Sequence, residues 1–291
     1  MTLDKLLLRQ AIFYGSYVVF PFAAYLVFRL RSGKRDRWIA IVLLGGALLF
    51  TWARFVEPQI ITVREHRAQT GFPARIALIS DLHMGVYKGA PFLERLVEKL
   101  NTLEVEAVLI AGDFIEEPDR PLKELFAPFR NLRHKAYAVR GNHDSEAPGP
   151  PVEKELREAL TAHGVTLLEN DSVKLGSFVL VGLGDRWANN DRMDTLKTYR
   201  ESDNVIVMTH NPDTAPLLPP ATADITLAGH THGGQIRIPW LYRMVIPTEG
   251  PFDRGWHDLP NTRVFVTSGV GENAVPLRFL VPPVIDVIIL D

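Results

Sequence analysis

Five short apolar runs in this 291-residue chain each give way, within a few residues, to a side chain able to bind a metal. Residues 75–79 lead to Asp81-Leu82-His83, residues 107–110 to Gly112-Asp113, and residues 136–139 to Gly141-Asn142-His143-Asp144. Further on, residues 205–208 lead to His210, and residues 224–228 to Gly229-His230-Thr231-His232. Continuous short apolar runs mark strands buried on both faces. In open α/β sheets, ligands collect beyond the carboxyl ends of such strands. The pattern therefore constrains the fold and the place of its chemistry together. Each motif alone would be weak, since Gly-Asp is ordinarily a turn and Asn-His a loop cap. Repetition at five strand ends is what carries meaning.

Between the runs the period changes. Pro91 sits at a first-turn position, followed by Phe92, Leu93, Leu96, Val97 and Leu100 on one helical face. Residues 152–163 repeat this with Leu156, Ala159 and Leu160, and Gly164 as a stop. Strand, helix, strand in alternation predicts an α/β domain with parallel pairing. A β-branched alternating stretch at residues 60–65 opens this body, and residues 173–182, 224–228, 263–267 and 284–290 add strands. These are too many for one sheet covered by helices on both faces. The expectation is a two-sheet αββα sandwich, with no internal repeat and no low-complexity tract.

The front of the chain is different. Residues 11–28 form an uncharged run of 18, and residues 38–53 a second of 16, extendable to Val56 across Arg54. A helix needs about 20 largely apolar residues to cross the hydrocarbon layer. Trp38 and Trp52 fall where interfacial aromatics belong. The linking segment Arg29-Leu30-Arg31-Ser32-Gly33-Lys34-Arg35-Asp36-Arg37 allows only a tight turn. We expect a transmembrane hairpin in residues 1–57, touching the bilayer through residues 11–56, and a catalytic domain in residues 58–291. A cleaved signal peptide followed by a core helix, or two helices lying flat on the bilayer, are the alternatives; the basic cluster after the first run argues against a cleavage site. The five basic residues in the turn favour a cytoplasmic turn and a body on the outer face. Lys5, Arg9, Arg54, Arg64 and Arg67 pull the other way.

Charge follows the same division. Residues 1–57 hold eight Lys/Arg against three Asp/Glu, whereas the remainder holds 24 against 31. An acidic body without a basic stripe argues against nucleic acid as a partner. The chain has no cysteine, which excludes disulfides and thiolate metal sites. What remains is a hard-to-borderline donor set of Asp, Asn and His, suited to Mn²⁺, Zn²⁺ or iron. Asp81 and His83 are two apart, which on an extended segment turns both to one side. Such a set points to metal-assisted attack of water on a phosphate ester.

These motifs, with the closing Gly233-Gly234-Gln235 and Pro276-Leu277-Arg278-Phe279 followed by Pro282-Pro283, resemble the calcineurin-like metallophosphoesterase superfamily, specifically its membrane-anchored bacterial branch. The resemblance covers roughly residues 58–291. It implies that Asp81, His83 and His232 hold one metal, that Asn142, His210 and His230 hold the other, and that Asp113 bridges both. It implies two divalent ions, with manganese favoured, and a bridging hydroxide as nucleophile. His143, left without a metal, would contact the phosphate and protonate the leaving oxygen, or else orient a ligand. Asp144 would steer it, or cap a helix.

The implied function is a phosphodiesterase or pyrophosphatase acting on a lipid-linked or membrane-proximal substrate at a bacterial inner membrane, with no protein partner expected. The branch includes a UDP-diacylglucosamine pyrophosphatase, which gives an alternative reading at the cytoplasmic face. A non-catalytic scaffold is a lesser one. His66, His134, His163 and His257 fall outside the motifs and read as surface residues. Residues 235–257, rich in Ile236, Ile238, Trp240, Leu241, Tyr242, Met244 and Ile246, read as a strand pair packed on the core. Otherwise they form a greasy rim for a bilayer or an acyl chain.

Overall fold

The structure is a computed structural model that describes residues 3–32, 37–145 and 152–291. The first helix of the front end is α1 (Leu3–Gly15), then a 3-10 turn at Ser16–Val18, then α2 (Val19–Arg31). The interruption has a local cause: Pro21 has no N–H to donate to the preceding turn. The partner helix α3 (Arg37–Thr51) loosens into a π-helical turn at Trp52–Val56 and a 3-10 turn at Glu57–Gln59. The middle of the basic turn, Gly33-Lys34-Arg35-Asp36, lies outside the described residues. The two helical stretches, Lys5–Arg31 and Arg37–Gln59, are each long and apolar enough to cross a membrane. Val19, Leu26, Ala40 and Ala47 are buried where they meet, and small residues there let the backbones approach. Most other apolar side chains of the hairpin, such as Phe20, Phe28, Val42 and Leu48, face outward.

The body begins with β1 (Thr62–Ala68), β2 (Ala74–Ile79) and a short β3 (Met84–Gly85), then α4 (Ala90–Leu100) and β4 (Ala107–Ala111). Next come a short β5 (Ile115–Glu116), α5 (Leu122–Leu125), β6 (Lys135–Val139), α6 (Glu153–Ala162) and β7 (Val165–Leu167). The second half contributes β8 (Asp171–Leu175), β9 (Phe178–Gly182), β10 (Val205–Met208), β11 (Ile225–Ala228), β12 (Gly255–Asp258), β13 (Arg263–Val266) and β14 (Val284–Leu290).

Two six-stranded sheets result. One has the order β1-β14-β2-β4-β6-β7 and the other β12-β13-β11-β10-β9-β8. In the first, β2, β4, β6 and β7 run parallel; in the second, β9, β10, β11 and β13 do. Ile76, Leu78, Leu109 and Ile288 of the first sheet meet Leu180, Ile206, Leu227 and Phe265 of the second in the central core. The outer face of the first sheet packs on α4 and α6 through Leu93, Leu96, Val97, Leu156 and Leu160. The expected two-sheet sandwich is therefore the fold. On the second sheet the outer cover is 3-10 turns, Met193–Thr198 and Pro212–Leu217, and loops, in place of long helices.

Three expectations need correction. Residues 173–182 are not one strand: Gly176 takes a left-handed conformation and turns β8 back on β9 as a hairpin. Residues 235–257 are not a core strand pair. Only β12 at their end is a strand, and Trp240, Leu241, Met244 and Val245 are exposed. The four remaining histidines are half-buried rather than at the surface; His66, for example, pairs with Asp286 at 2.8 Å.

Candidate metal centre

Parallel strands of both sheets end on one side of the sandwich, and the polar motifs hang from those ends. Five residues of the expected ligand set leave their strands in the left-handed region: Asp81 (φ 54°), His83 (φ 44°), Asp113 (φ 55°), His230 (φ 72°) and His232 (φ 51°). Non-glycine residues adopt this region at a cost of order 1–3 kcal/mol, and only where surrounding contacts over-determine it. Glycine appears where space rather than φ decides. A Cβ on Gly141 would run into the Asp113 carboxylate, and one on Gly229 into the Ser80 hydroxyl.

Asp81, His83, Asp113, Asn142, His210, His230 and His232 are all buried and all converge. Asp81 Oδ1 lies 3.4 Å from His232 Nε2 and 3.9 Å from His83 Nε2, and the two imidazole nitrogens are 3.1 Å apart. On the other side, His210 Nε2 is 3.2 Å from Asn142 Oδ1 and 3.0 Å from His230 Nδ1. Between the two groups stands Asp113, whose Oδ2 is 3.5 Å from His83 Nε2 and 3.2 Å from His210 Nε2. The His143 backbone N–H donates to Asp113 Oδ1 at 3.0 Å, which fixes the carboxylate in that position. The Ala111 carbonyl, 2.7 Å from His210 Nδ1, accepts a hydrogen bond from that N–H and so aims Nε2 inward.

Electrostatics mark what such a cluster lacks. Burial pushes the Asp81 carboxyl up to about 6. It pushes His83 down to about 4 and His230 down to about 3. Burial also opposes a proton on His210, but Asp113, Asp81 and Asp185 outweigh it and push that imidazole up to about 10. The carboxylates thus draw in positive charge wherever it can be found. Asp81 Oδ1 is buried with no hydrogen-bond partner while two imidazoles face it. An unpaired buried carboxylate oxygen is costly, and a cation answers that deficit. The donor set fits two divalent ions: Asp81, His83 and His232 can converge on one, and Asp113, His210 and His230 on another.

His143 sits at the rim, partly exposed. Its Nδ1 is 2.9 Å from Glu116 Oε2, and its Nε2 is 3.2 Å from the Asn273 amide. Burial would lower it, but Asp113 and Glu116 outweigh burial and push it up to about 9. Glu116 is therefore the carboxylate that steers His143. Asp144 does something else: it accepts the N–H groups of Gly141 and Phe114 at 2.9 and 2.8 Å, stapling the Asn142 loop to the Asp113 loop. Neither steering nor helix capping is its role.

Glu116, Asn273, Trp187 and Arg9 escaped sequence reasoning. Glu116 belongs to a Glu-Glu-Pro-Asp run that reads as a solvated turn. Asn273 precedes the Pro276-Leu277-Arg278-Phe279 segment, and that segment was the available signal. Arg278 is fully buried and donates to the carbonyls of Gly271, Val281 and Ser268, holding the loop that delivers Asn273. Trp187 stands edge-on to His230 with ring centroids 4.4 Å apart. Arg9 of α1 pairs with Glu116 at 2.7 Å, a contact of 107 residues' separation that no pattern announces.

Residues 74–234 match the calcineurin-like phosphoesterase family. The chain is 31% identical over 274 residues to the metallophosphoesterase YkuE of Bacillus subtilis, covering 85% of this chain and 93% of that protein. It is 26% identical over 309 residues to the UDP-2,3-diacylglucosamine pyrophosphatase LpxG of Chlamydia muridarum, covering 84% of this chain and 94% of the relative. It is 24% identical over 235 residues to the phosphodiesterase YaeI of Escherichia coli, covering 76% and 86% respectively. The chain belongs to the calcineurin-like phosphoesterase family. It is a metal-dependent phosphohydrolase of the dinuclear type.

Proposed function

We propose that Asp81, His83 and His232 hold one divalent ion, that Asn142, His210 and His230 hold a second, and that Asp113 bridges them. The substrate is a phosphodiester or pyrophosphate that is lipid-linked or lies at the membrane surface. Residues 1–57 serve as the anchor and residues 58–291 as the catalytic domain, at a bacterial cell membrane. One relay of contacts carries this reading. Arg9, near the base of the first apolar helix, pairs with Glu116, and Glu116 pairs with His143 beside the metal centre. A phosphate held at this centre sits next to the point where the anchor meets the body.

When bound, two ions would acidify a water from about 15.7 toward 7, as zinc does, and grip the phosphoryl oxygens. Manganese is the ion we favour. The chain's own residues supply the rest. Asn142 contributes a neutral amide, so that two carboxylates leave the centre attractive to phosphate. His143, paired with the Glu116 carboxylate at the rim of the centre, would donate its proton to the leaving oxygen. Asn273 holds the outer edge of its ring.

The basic turn favours a body on the outer face. A second reading rests on the name of the Chlamydia relative: hydrolysis of a UDP-linked diacylglucosamine, which requires the body on the cytoplasmic face. Detergent-purified full-length protein with Mn²⁺, assayed against bis(4-nitrophenyl) phosphate, soluble nucleotides, UDP-diacylglucosamine, phospholipids and lipid pyrophosphates, tests both. A lipid-linked compound is expected to be turned over fastest. Equal or faster hydrolysis of soluble nucleotides would contradict the reading.

A further inference from the structure

The geometry points to a second membrane contact, separate from the helical hairpin: the apolar loop at residues 238–245 rests on the lipid surface and sets the metal centre at the bilayer interface. Its tip is apolar and outward-facing. Trp240 is 88% exposed and Met244 80%, with Leu241 and Val245 beside them. Exposed apolar side chains gathered in this way are uncommon on a surface meant for water. Trp240 also takes φ 66°, an unusual conformation for so bulky a residue, which holds the indole outward.

The loop is built rather than loose. At its base Arg237 donates to Asp253 at 2.6 Å and to the Gly233 carbonyl at 2.8 Å, and its guanidinium lies 4.0 Å from the Tyr242 ring centroid. The Tyr242 hydroxyl donates to the same Asp253 at 3.1 Å. A polar lock below and an apolar tip above is the arrangement of an interfacial contact, with exposed Arg243 available to lipid phosphates.

Its neighbour identifies the occupant. The Arg237 N–H donates to the Phe279 carbonyl at 2.9 Å, and the N–H of Arg278, next in line, donates to Ala53 at 2.9 Å. Ala53 lies near the end of the second apolar helix, while Arg9 of the first reaches the Ala274 carbonyl. The single strip of residues 273–279 therefore has the loop on one side and the hairpin base on the other. A bilayer that receives the hairpin lies alongside the loop. Between loop and strip runs a cleft of about 400 Å³, lined by Ile236, Val245, Pro247, Ala274 and Val275 and reaching His232. An acyl-bearing group leaving the bilayer would pass here toward the metal centre.

This inference rests on the hairpin spanning the membrane, so the test reads the two separately. The chain has no cysteine, so single-cysteine variants label at one place. Leu241→Cys, Met244→Cys, Val42→Cys in the hairpin, and Ser202→Cys at the strand ends opposite the site would each carry an environment-sensitive nitrobenzoxadiazole dye. The full-length protein is reconstituted into phosphatidylcholine–phosphatidylglycerol vesicles, with and without nitroxide-bearing lipid. Dyes at 241, 244 and 42 are expected to emit to the blue and lose at least half their intensity to the nitroxide, while the dye at 202 stays unquenched. Quenching at 42 without quenching at 241 and 244 overturns the second contact and leaves the anchor standing. No quenching at 42 overturns the spanning reading, and this inference with it.

Discussion

The metal centre and the apolar rim beside it break the usual partition of side chains in opposite senses. At the centre, two aspartates, an asparagine and four histidines are taken almost wholly out of water. At the rim and along the hairpin, tryptophan, methionine, leucine and phenylalanine are left out in the open. Each inversion is unfavourable in a protein surrounded only by water. Each becomes reasonable with the partner proposed for it, a cation for one and lipid for the other. The two regions share the strip of residues 271–279: Gly271 donates to the Asp81 carbonyl, and Arg278 to Ala53. Lone anomalies in a structure are hard to interpret, but two complementary ones on a common support are what the proposed lipid-linked phosphate would bridge.

The largest expected effect falls on the polar side. Asp113→Ala removes the carboxylate between the two groups, and kcat is expected to fall by about 10³-fold or more, with elemental analysis showing ions lost from both positions. His143→Ala should slow turnover by about 10²–10⁴-fold and retain both ions, whereas Asn142→Ala should lose one ion. Loss of both ions in His143→Ala would break the division between holding metal and moving a proton.

Glu116→Gln sharpens the link between the regions. It removes the charge that steers His143 while keeping its size. A fall in kcat of about 10–100-fold, at unchanged metal content, is expected in a steady-state assay on a soluble diester. The smallest effect should come from Arg9→Ala, which frees Glu116 from the first apolar helix. About tenfold or less in kcat is anticipated, and Arg9→Lys should recover part of it. If Arg9→Ala cost as much as Asp113→Ala, the first apolar helix would be part of the centre itself, and the two-region description would fail.

How much of this was legible depends on which physical rule a segment obeys. The strand ends at Asp81, Asp113, Asn142, His210 and His230 follow an apolar run with a polar donor, and such a pattern survives in one dimension. The helices at 91–100 and 152–163 follow the 3.6 period and also survive. Residues 173–182 look continuous because Val173 and Leu175 of β8 alternate into the apolar run of β9, and the left-handed Gly176 between them makes the turn. The rim misleads for a better reason: apolar residues are more often core than surface, and nothing local reports that Trp240, Leu241, Met244 and Val245 are left exposed. Glu116 and Arg9 are invisible because their pairing is set by how the hairpin meets the body. Asp144 shows the converse, a residue whose motif suggested a partner for His143 and whose carboxylate instead closes a backbone loop.

Metal stoichiometry tests the central claim most directly. Elemental analysis of active full-length protein, taken through chelation and re-addition of Mn²⁺, should give two tightly held ions per chain, with hydrolysis abolished by the chelator and restored by the metal. Full activity with one ion or none, unaffected by chelation, would contradict the account.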